Sequence, residues 1–483
     1  MNERGSLEKY SKTHFYSEGG RMCFYYINYA IIHAYSRVKA LWLPVVGAMV
    51  NTKNHRTRWY LTTEDDQACT RLLNKIKKNP NLLGKAEKDI ALLRNSIAER
   101  LTSIEIHSFT KGELEKLVAY FFNQLEELFL IASFIRHLDR GVLLQLRTIF
   151  VSPDADRFIS AVSFSERLTT TLEEELALLG IAKALSQKKI VLNSPEADEY
   201  ITIVQEKYCW MSCGYYKEKP RGKEDYRTIL QDFITQDPQV LIEKFHTKVQ
   251  EAMERKKNVI KNLSKEEQRV VQIAGEITYL KDKFKEAVNK SIYHGEAIYH
   301  EVSLRTKEDI SFLKDLSSEE LVQIIGGEDV NRDFIAERKK QYILISHNKN
   351  FRIFIGEDAE EFERRYLQSH KREGIALRGR SAVSGVARGK VRVILSAEDF
   401  HKFRKDEVLV ALNTSPDYVV VMKKAGAILT EEGGISSHAS VVSRELGIPS
   451  IVGIPEITDI LKDGMIVEVD ADQGVVKILK SRG

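Results

Sequence analysis

The chain has 483 residues and a mass of 55.3 kDa, which is too long for one compact domain and predicts two or three. An apolar fraction of 43% and a charged fraction of 29% are ordinary for a globular protein, and they exclude a collagen-like, a disulfide-scaffold and a wholly disordered chain. The 73 Lys and Arg nearly balance the 69 Asp and Glu, so the net charge of +4 gives no reason to expect nucleic-acid binding.

Cysteine usage and hydropathy predict the compartment. Four cysteines in a chain of this length, without a secretory leader, are typical of the reducing cytoplasm. Cys209 and Cys213 lack a second pair, so we interpret them as ordinary thiols and expect no metal site. Residues 22–35 are apolar but shorter than the ~20 residues of a membrane span, and Arg21 and Arg37 bracket them. We therefore expect a cytoplasmic protein without membrane contact, in which residues 22–35 form a buried helix or a docking face.

The long first part of the chain is patterned as a series of helices. Four pairs predict capping boxes, in which two side chains satisfy unpaired N–H groups at a helix start: Thr110 with Glu113, Thr171 with Glu174, Ser264 with Glu267 and Ser317 with Glu320. Apolar residues recur every three or four positions over 114–138, and we expect Gly141 to stop that helix. The same spacing over 270–284 predicts a second long helix, and Gly327 should end the helix that follows Ser317. These patterns predict a helical region over residues 1–356.

The character of the chain changes after that region. Two strand-like runs at 342–345 and 351–355 predict a β-hairpin at its end, and the charged stretch 357–373 is interpreted as a linker, either a solvated helix or a hinge. Residues 374–483 contain 12 of the 27 glycines in under a quarter of the chain, which favours short strands and turns. The pattern predicts strands at 390–395, 408–411, 427–430, 450–452, 466–470 and 475–479, with helices at 397–404, 417–424 and 438–446.

One stretch of this C-terminal module carries a recognisable chemistry. A strand that ends at Thr430 is followed by Gly433 and Gly434, then by Ser436 and Ser437, which can cap a helix that begins at His438. Unpaired N–H groups and the positive end of the dipole make a helix N-terminus a site for anions. Histidine titrates near neutral pH, so a neutral imidazole there can act as a nucleophile toward a phosphoryl group. The alternative is that the helix is simply capped and begins with a histidine that has no chemical role.

The sequence around His438 resembles a known family. The segment 431–453, EEGGISSHASVVSRELGIPSIVG, resembles the phosphohistidine segment of the phosphoenolpyruvate-utilising enzymes, such as phosphoenolpyruvate synthase and pyruvate phosphate dikinase. Residues 379–389, the loop 413–417 and the segment 462–478 resemble the opening strands, the Thr-Ser-Pro-Asp loop and the closing hairpin of the same module. The resemblance implies a swivelling β/β/α domain in which His438 is the catalytic phosphoryl carrier. Thr430, Gly433, Gly434, Ser436 and Ser437 would then shape its phosphate environment.

Enzymes of this family also have a nucleotide-binding domain, and we recognise no segment of this sequence that would form one. We find no glycine-rich phosphate loop of an ATP-grasp domain, and no (β/α)8 barrel of the kind that binds phosphoenolpyruvate in the synthase and dikinase. We therefore expect that no cofactor is bound by this chain, and that a separate ATP-grasp protein supplies the phosphoryl group from Mg-ATP. Whether the β- or the γ-phosphoryl group is transferred stays open.

The helical region resembles, more diffusely, the helical part that precedes the mobile domain in synthase-like phosphotransferases such as rifampin phosphotransferase. That resemblance implies that it presents a small-molecule acceptor, and the candidate contacts are Trp210, Tyr279, Lys283 and His294. The leading hypothesis is a phosphotransferase subunit. One alternative is the carrier subunit of a split phosphoenolpyruvate synthase or dikinase, with the barrel on another chain. Another is a non-catalytic docking or regulatory adaptor.

Overall fold

The computed structural model describes residues 15–20, 30, 47–53, 56–62, 66–103, 105–152, 155–213, 219–347, 350–364, 377–395, 397–414, 418–431, 433 and 437–480. From residue 66 to 340 the chain forms a series of helices: α1 (Asp66–Lys78), α2 (Asn81–Thr102), α3 (Lys111–Ile149), α4 (Ala155–Val162), α5 (Thr170–Lys188), α6 (Pro195–Tyr208), α7 (Lys223–Thr235), α8 (Pro238–Ile260), α9 (Lys265–Thr306), α10 (Ile310–Leu313), α11 (Ser318–Gly326) and α12 (Arg332–Lys340). Short 3-10 helices lie at Ile106–Ser108 and Cys209–Ser212. The predicted mainly helical first part is confirmed.

The two longest helices, α3 and α9, form the centre of this region. They pack along each other, α1 and α11 pack against α3, and α2 packs against α9. Their facing side chains, such as Phe121, Leu125 and Ile277, are buried in one continuous core. By length and composition α3 could cross a membrane, but its apolar side chains are buried against the neighbouring helices, as in the core helix of a globular domain.

Three predicted capping boxes form at the predicted residues. Thr110 Oγ1 accepts from the Glu113 N–H, and the Glu113 carboxylate accepts from the Thr110 N–H at 2.8 Å. The pairs before α9 and α11 have the same geometry. Together they satisfy N–H groups that a helix start leaves without intrahelical partners. Gly327, in the left-handed conformation with φ +77°, ends α11 as predicted.

The fourth predicted capping box is wrong. Helix α5 begins at Thr170, and its N–H donates to Asp282 Oδ2 at 2.7 Å, so a carboxylate from α9 caps the helix. The Glu174 carboxylate instead accepts from Arg221 at 2.7 Å. A local pattern could not reveal these partners because they lie far away in sequence.

The predicted stop at Gly141 is also wrong, since α3 continues through it to Ile149. A Cβ atom at position 141 would overlap the backbone carbonyl oxygen of Cys69 in α1. The glycine therefore serves the close approach of two helices, which outweighs its poor helix propensity.

Five antiparallel strands form a sheet in the order β1-β3-β2-β4-β5: β1 (Phe15–Gly20), β2 (Gly47–Lys53), β3 (Arg56–Thr62), β4 (Gln341–His347) and β5 (Asn350–Ile355). β4 and β5 are the predicted hairpin, whose turn residues 348 and 349 lie outside the described residues. β1 to β3 were not predicted, although RTRWYLT at 56–62 is rich in aromatic and β-branched residues typical of a strand. Residues 22–35, apart from residue 30, also lie outside the described part.

The charged stretch begins with a helix, α13 (Gly356–Phe362), packed on β4 and β5. Ala359 and Phe362 are buried, and the Glu363 carboxylate accepts from Gln341 Nε2 at 2.9 Å. Residues 365–376 lie outside the described residues. The domain boundaries and a linker at 357–373 therefore stay predictions.

The C-terminal part consists of short strands and helices: β6 (Leu377–Arg378), β7 (Arg380–Val383), β8 (Val386–Ile394), β9 (Val408–Ala411), α14 (Val419–Met422), β10 (Ala427–Thr430), α15 (His438–Leu446), β11 (Ser450–Val452), α16 (Ile457–Ile460), β12 (Ile466–Asp470) and β13 (Val475–Lys480). Five of the predicted strands agree within one residue, while β8 begins four residues before its prediction. The helix predicted at 397–404 is a 3-10 helix over Ala397–Lys402, and the one predicted at 417–424 is the shorter α14.

The described strands of this part form one sheet in the order β6-β13-β12-β8-β9-β10-β11-β7, in which β8 links an antiparallel part to a mainly parallel part. Residues 386–390 pair antiparallel with β12, and residues 391–394 pair parallel with β9, which continues in parallel to β10 and β11. The alternating side chains of β9 enter two cores: Val408 and Val410 face the core shared with β12 and β13, while Leu409 and Ala411 face the core shared with α14 and α15. This is a β/β/α arrangement, as predicted.

Candidate functional site

The candidate site lies at the carboxyl end of two adjacent parallel strands. β9 ends at Ala411 and β10 at Thr430, and these residues are partners in the sheet. The segment after β9 carries Thr414, and the segment after β10 leads through Gly433 to His438. In open α/β sheets the carboxyl ends of parallel strands are where ligands commonly bind.

His438 is the first residue of α15. Ser437 caps the helix: its Oγ accepts from the Ser440 N–H at 3.3 Å and lies 3.1 Å from the Ser440 Oγ. Gly447, with φ +67°, ends the helix as the sequence predicts. His438 is therefore placed where the first-turn N–H groups and the helix dipole favour an anion. The Ser437 hydroxyl is used for capping, and its role toward a phosphate stays a prediction.

Thr414 orients the His438 ring. Its Oγ1 lies 2.8 Å from His438 Nδ1, and both side chains are partly buried. We did not predict Thr414 as a site residue, although it belongs to the loop 413–417 that carries part of the family resemblance. The available indication was its position just after the strand that neighbours β10.

Gly433 allows two hydroxyls to approach the turn before His438. Its φ is +128°, and a Cβ there would lie 2.9 Å from Ser437 Oγ and 3.6 Å from Thr430 Oγ1. Thr430 is fully buried, and its hydroxyl has no hydrogen-bond partner among the residues that the structure describes. Of the predicted phosphate-supporting residues, Thr430, Gly433 and Ser437 thus lie together, while Gly434 and Ser436 fall outside the described part.

Comparison with known proteins agrees with this geometry. Residues 403–474 match the family model described as "PEP-utilising enzyme, mobile domain". The C-terminal part of the chain is therefore similar to this family of mobile domains. Below, residues 377–480 are called the mobile domain.

The relatives of the mobile domain include phosphoenolpyruvate synthases from archaea. The chain is 49% identical over 109 residues to a probable phosphoenolpyruvate synthase of Archaeoglobus fulgidus, which covers 22% of this chain and 14% of that protein. It is 50% identical over 103 residues to the phosphoenolpyruvate synthase of Aeropyrum pernix, 21% of this chain and 13% of that one. The enzyme of Pyrococcus furiosus is 45% identical over 120 residues, 25% and 14% of the two chains. The chain thus matches about one seventh of the length of these relatives.

The candidate acceptor contacts lie far along the chain from the mobile domain, mostly on one face of α9. Tyr279, Lys283, Glu286, Lys290 and His294 follow one another at spacings of three or four residues, so they form a stripe along the helix. Below, these five residues are called the α9 stripe. Three of them were predicted as acceptor contacts.

Glu286 is the centre of the α9 stripe. Its buried carboxylate accepts hydrogen bonds from Arg94 at 2.8 Å, Lys290 at 3.0 Å, Lys283 at 3.2 Å and Thr170 Oγ1 at 2.9 Å. Burial raises the pKa of Glu286, but the hydrogen bond and charge of Lys290 and the charges of Lys283 and Arg94 outweigh it and bring the pKa to about 2. We did not predict Glu286 and Arg94 as site residues, because they are 192 positions apart in the sequence and no local pattern links them.

Two aromatic rings lie along the α9 stripe, each close to a cationic side chain. The Arg167 guanidinium lies 3.5 Å from the centre of the Tyr279 ring, and burial raises the pKa of Tyr279. Trp210 is buried, with its Nε1 donating to the Lys207 carbonyl at 2.7 Å and Lys290 Nζ 4.6 Å from its ring centre.

His294 closes the α9 stripe. It is half-buried, and burial lowers its pKa. The structure therefore places Tyr279, Lys283 and His294 on the α9 stripe and Trp210 beside it. Their contact with an acceptor stays a prediction. In the part of the chain that the structure describes, no three His, Cys, Asp or Glu side chains are grouped to hold a metal ion.

Proposed function

We propose that this protein is a phosphotransferase in which His438 carries a phosphoryl group to a small-molecule acceptor. The observation that carries the proposal is the position of His438 at the first residue of α15, with Nδ1 2.8 Å from Thr414 Oγ1. The match of residues 403–474 to the mobile domain of PEP-utilising enzymes supports it.

The proposed mechanism uses the His438 tautomer in which Nδ1–H donates to the Thr414 hydroxyl. The lone pair of the neutral ring is then on Nε2, which is the nucleophile. Nε2 attacks a phosphorus atom of the nucleotide, an N–P bond forms, and the P–O bond to the departing phosphate oxygen breaks with its electron pair. In the second step an acceptor oxygen attacks the phosphorus, the N–P bond breaks, its electrons return to Nε2, and the acceptor proton passes to a base or to water.

The surroundings of His438 suit a negatively charged phosphoryl group. The N-terminus of α15 supplies backbone N–H groups and the positive end of the dipole. The turn at Gly433 lets backbone approach closely, and the buried Thr430 hydroxyl beside it has hydrogen-bonding capacity to offer. Dipoles and hydroxyls that are already in place cost little reorganisation during the transfer.

The donor and the acceptor complete the proposal. We infer, as the sequence predicts, that Mg-ATP is held by a separate ATP-grasp protein. The metal would bridge phosphate oxygens and neutralise their charge. The acceptor would lie along the α9 stripe beside Trp210, where Lys283 and Lys290 offer charged hydrogen-bond donors.

The experiment that tests the proposal is intact-mass analysis after incubation with Mg-ATP and a candidate ATP-grasp protein. Wild type and His401→Ala should each gain one acid-labile phosphoryl group, and His438→Ala should gain none. His401 is the matched control, because it is an exposed histidine in the same domain. Wild type that binds a nucleotide-loaded partner and stays unmodified would contradict the proposal and favour the adaptor.

A further inference from the structure

A cavity lies at the C-terminal end of α9, away from the α9 stripe. It has a volume of about 340 Å³ and is formed where the ends of α9 and α11 meet the beginnings of α3 and α12. Thr306, which lines the cavity, follows His294 by twelve residues, or about 18 Å along the helix. The cavity is therefore separate from the place where we locate the acceptor, and its size is in the range of pockets that hold small molecules.

The floor of the cavity is apolar. Its side chains come from α3, α9, α11 and the segment after α11, and all of them are buried: Leu114, Val302, Ile324, Ile325 and Val330. The apolar body of a ligand that lies on such a floor leaves water on binding, and this transfer stabilises the complex.

The two arginines of the wall already have partners in the protein. Arg305 Nε donates to the Glu301 carboxylate at 2.6 Å, and its Nη1 donates to the Phe109 carbonyl at 2.7 Å. Arg332 forms an ion pair with Glu308. The first set of contacts joins the turn before α3 to the end of α9, and the second joins the start of α12 to the segment after α9. They therefore hold the shape of the cavity before a ligand binds.

Two carboxylates of the wall are not balanced in this way. Glu328 and Asp329 follow Gly327, the residue that ends α11, and both are exposed. Among the residues that the structure describes, no cationic side chain forms an ion pair with either carboxylate. Lys111, also in the wall, donates to the Gly326 carbonyl instead. The negative end of the α11 dipole lies at the same place, so this side of the cavity favours a positive charge.

We propose that this cavity binds a small organic cation, namely an amine with an apolar body. The apolar body lies on the floor, and the ammonium group faces Glu328 and Asp329. An ammonium group has three N–H donors and can therefore form charge-assisted hydrogen bonds with both carboxylates. This binding site goes beyond the proposed function, because it requires neither the phosphohistidine nor the acceptor.

Isothermal titration calorimetry of the full chain with phenethylamine tests the proposal, since this amine joins an aromatic ring to an ammonium group. We expect saturable binding of one molecule per chain. 2-Phenylethanol, which is neutral, and phenylacetate, which is an anion, have bodies of similar size and should each bind at least about tenfold more weakly. Failure of phenethylamine to saturate the chain, or phenylacetate binding as tightly as phenethylamine, would overturn the proposal.

A second titration uses the double variant Glu328→Gln with Asp329→Asn, which removes both charges and keeps the size of the side chains. Its affinity for phenethylamine should fall about tenfold or more, without a lower midpoint of urea unfolding, because both residues are exposed. Glu319→Gln with Asp333→Asn is the matched control, because it removes two exposed carboxylates of α11 and α12 that do not line the cavity. This control should bind phenethylamine like wild type. Equal affinities of the two double variants would refute the site.

Discussion

The buried carboxylate of Glu286 offers a sharp test of the packing around the α9 stripe. Glu286→Gln keeps the size of the side chain but removes the charge that Arg94, Lys283 and Lys290 share. Breaking a buried charge network by removing one partner typically costs about 3–5 kcal/mol, because the remaining charges stay buried without compensation. A pKa lowered from 4.5 to about 2 gives a consistent figure of about 3 kcal/mol for the ionised form.

The pH dependence follows from the direction of that shift. Since the folded pKa lies below the ordinary value, the carboxylate stabilises the fold fully above about pH 5, and this contribution is lost as the pH falls toward 2. The difference in unfolding free energy between wild type and Glu286→Gln should therefore be about 3 kcal/mol at pH 7 and smaller by about 0.8 kcal/mol at pH 4.

Urea unfolding followed by circular dichroism at the two pH values measures this difference. Glu276→Gln on the same helix is the matched control, because its carboxylate is exposed and lies 3.5 Å from Arg167. We expect the control to change stability by less than about 1 kcal/mol. A Glu286→Gln variant as stable as the control at pH 7, or a difference that grows on acidification, would show that the ionised carboxylate of Glu286 does not stabilise the fold.

Two further predictions concern the orientation of the carrier ring and the helix contact. Thr414→Val should slow phosphorylation of His438 about 3- to 10-fold and change its pH profile, because the hydrogen bond between His438 Nδ1 and the Thr414 hydroxyl is lost. Rapid-quench assays measure the rate and its pH dependence. Thr202→Val, which loses a similar hydroxyl on α6, should leave the rate and the pH profile unchanged. Gly141→Ala should lower the melting temperature, because the added Cβ overlaps the backbone of α1. Gly180→Ala, at an open position on α5, should raise stability by about 0.5–1 kcal/mol. Scanning calorimetry measures both variants, and equal effects would contradict the close packing at Gly141.

The mobile domain was largely predictable because its determinants are local. The turn at Gly433, the cap at Ser437 and the helix end at Gly447 follow from residues adjacent in sequence. Short buried strands such as 427–430 are bounded by turn residues on both sides, so their ends are well marked. Thr414 escaped prediction because its role depends on the pairing of two strands.

The helical region was predictable only in outline, since its details depend on distant partners. The cap of α5 is Asp282, and the partners of Glu286 come from α2, α5 and α9. Gly141 looks like a helix end in sequence and is a helix contact in the structure. Strands β1 to β3 complete a sheet with β4, whose residues lie almost 300 positions later.

In the proposed mechanism Nε2 of His438 carries the phosphoryl group. The most direct measurement is the ³¹P NMR spectrum of the protein after incubation with Mg-ATP and the ATP-grasp partner, recorded under alkaline conditions that preserve phosphohistidine. We expect a resonance of Nε2-phosphohistidine in wild type that is absent from His438→Ala. A resonance of a serine or threonine phosphomonoester, or a phosphohistidine that persists in His438→Ala, would contradict it.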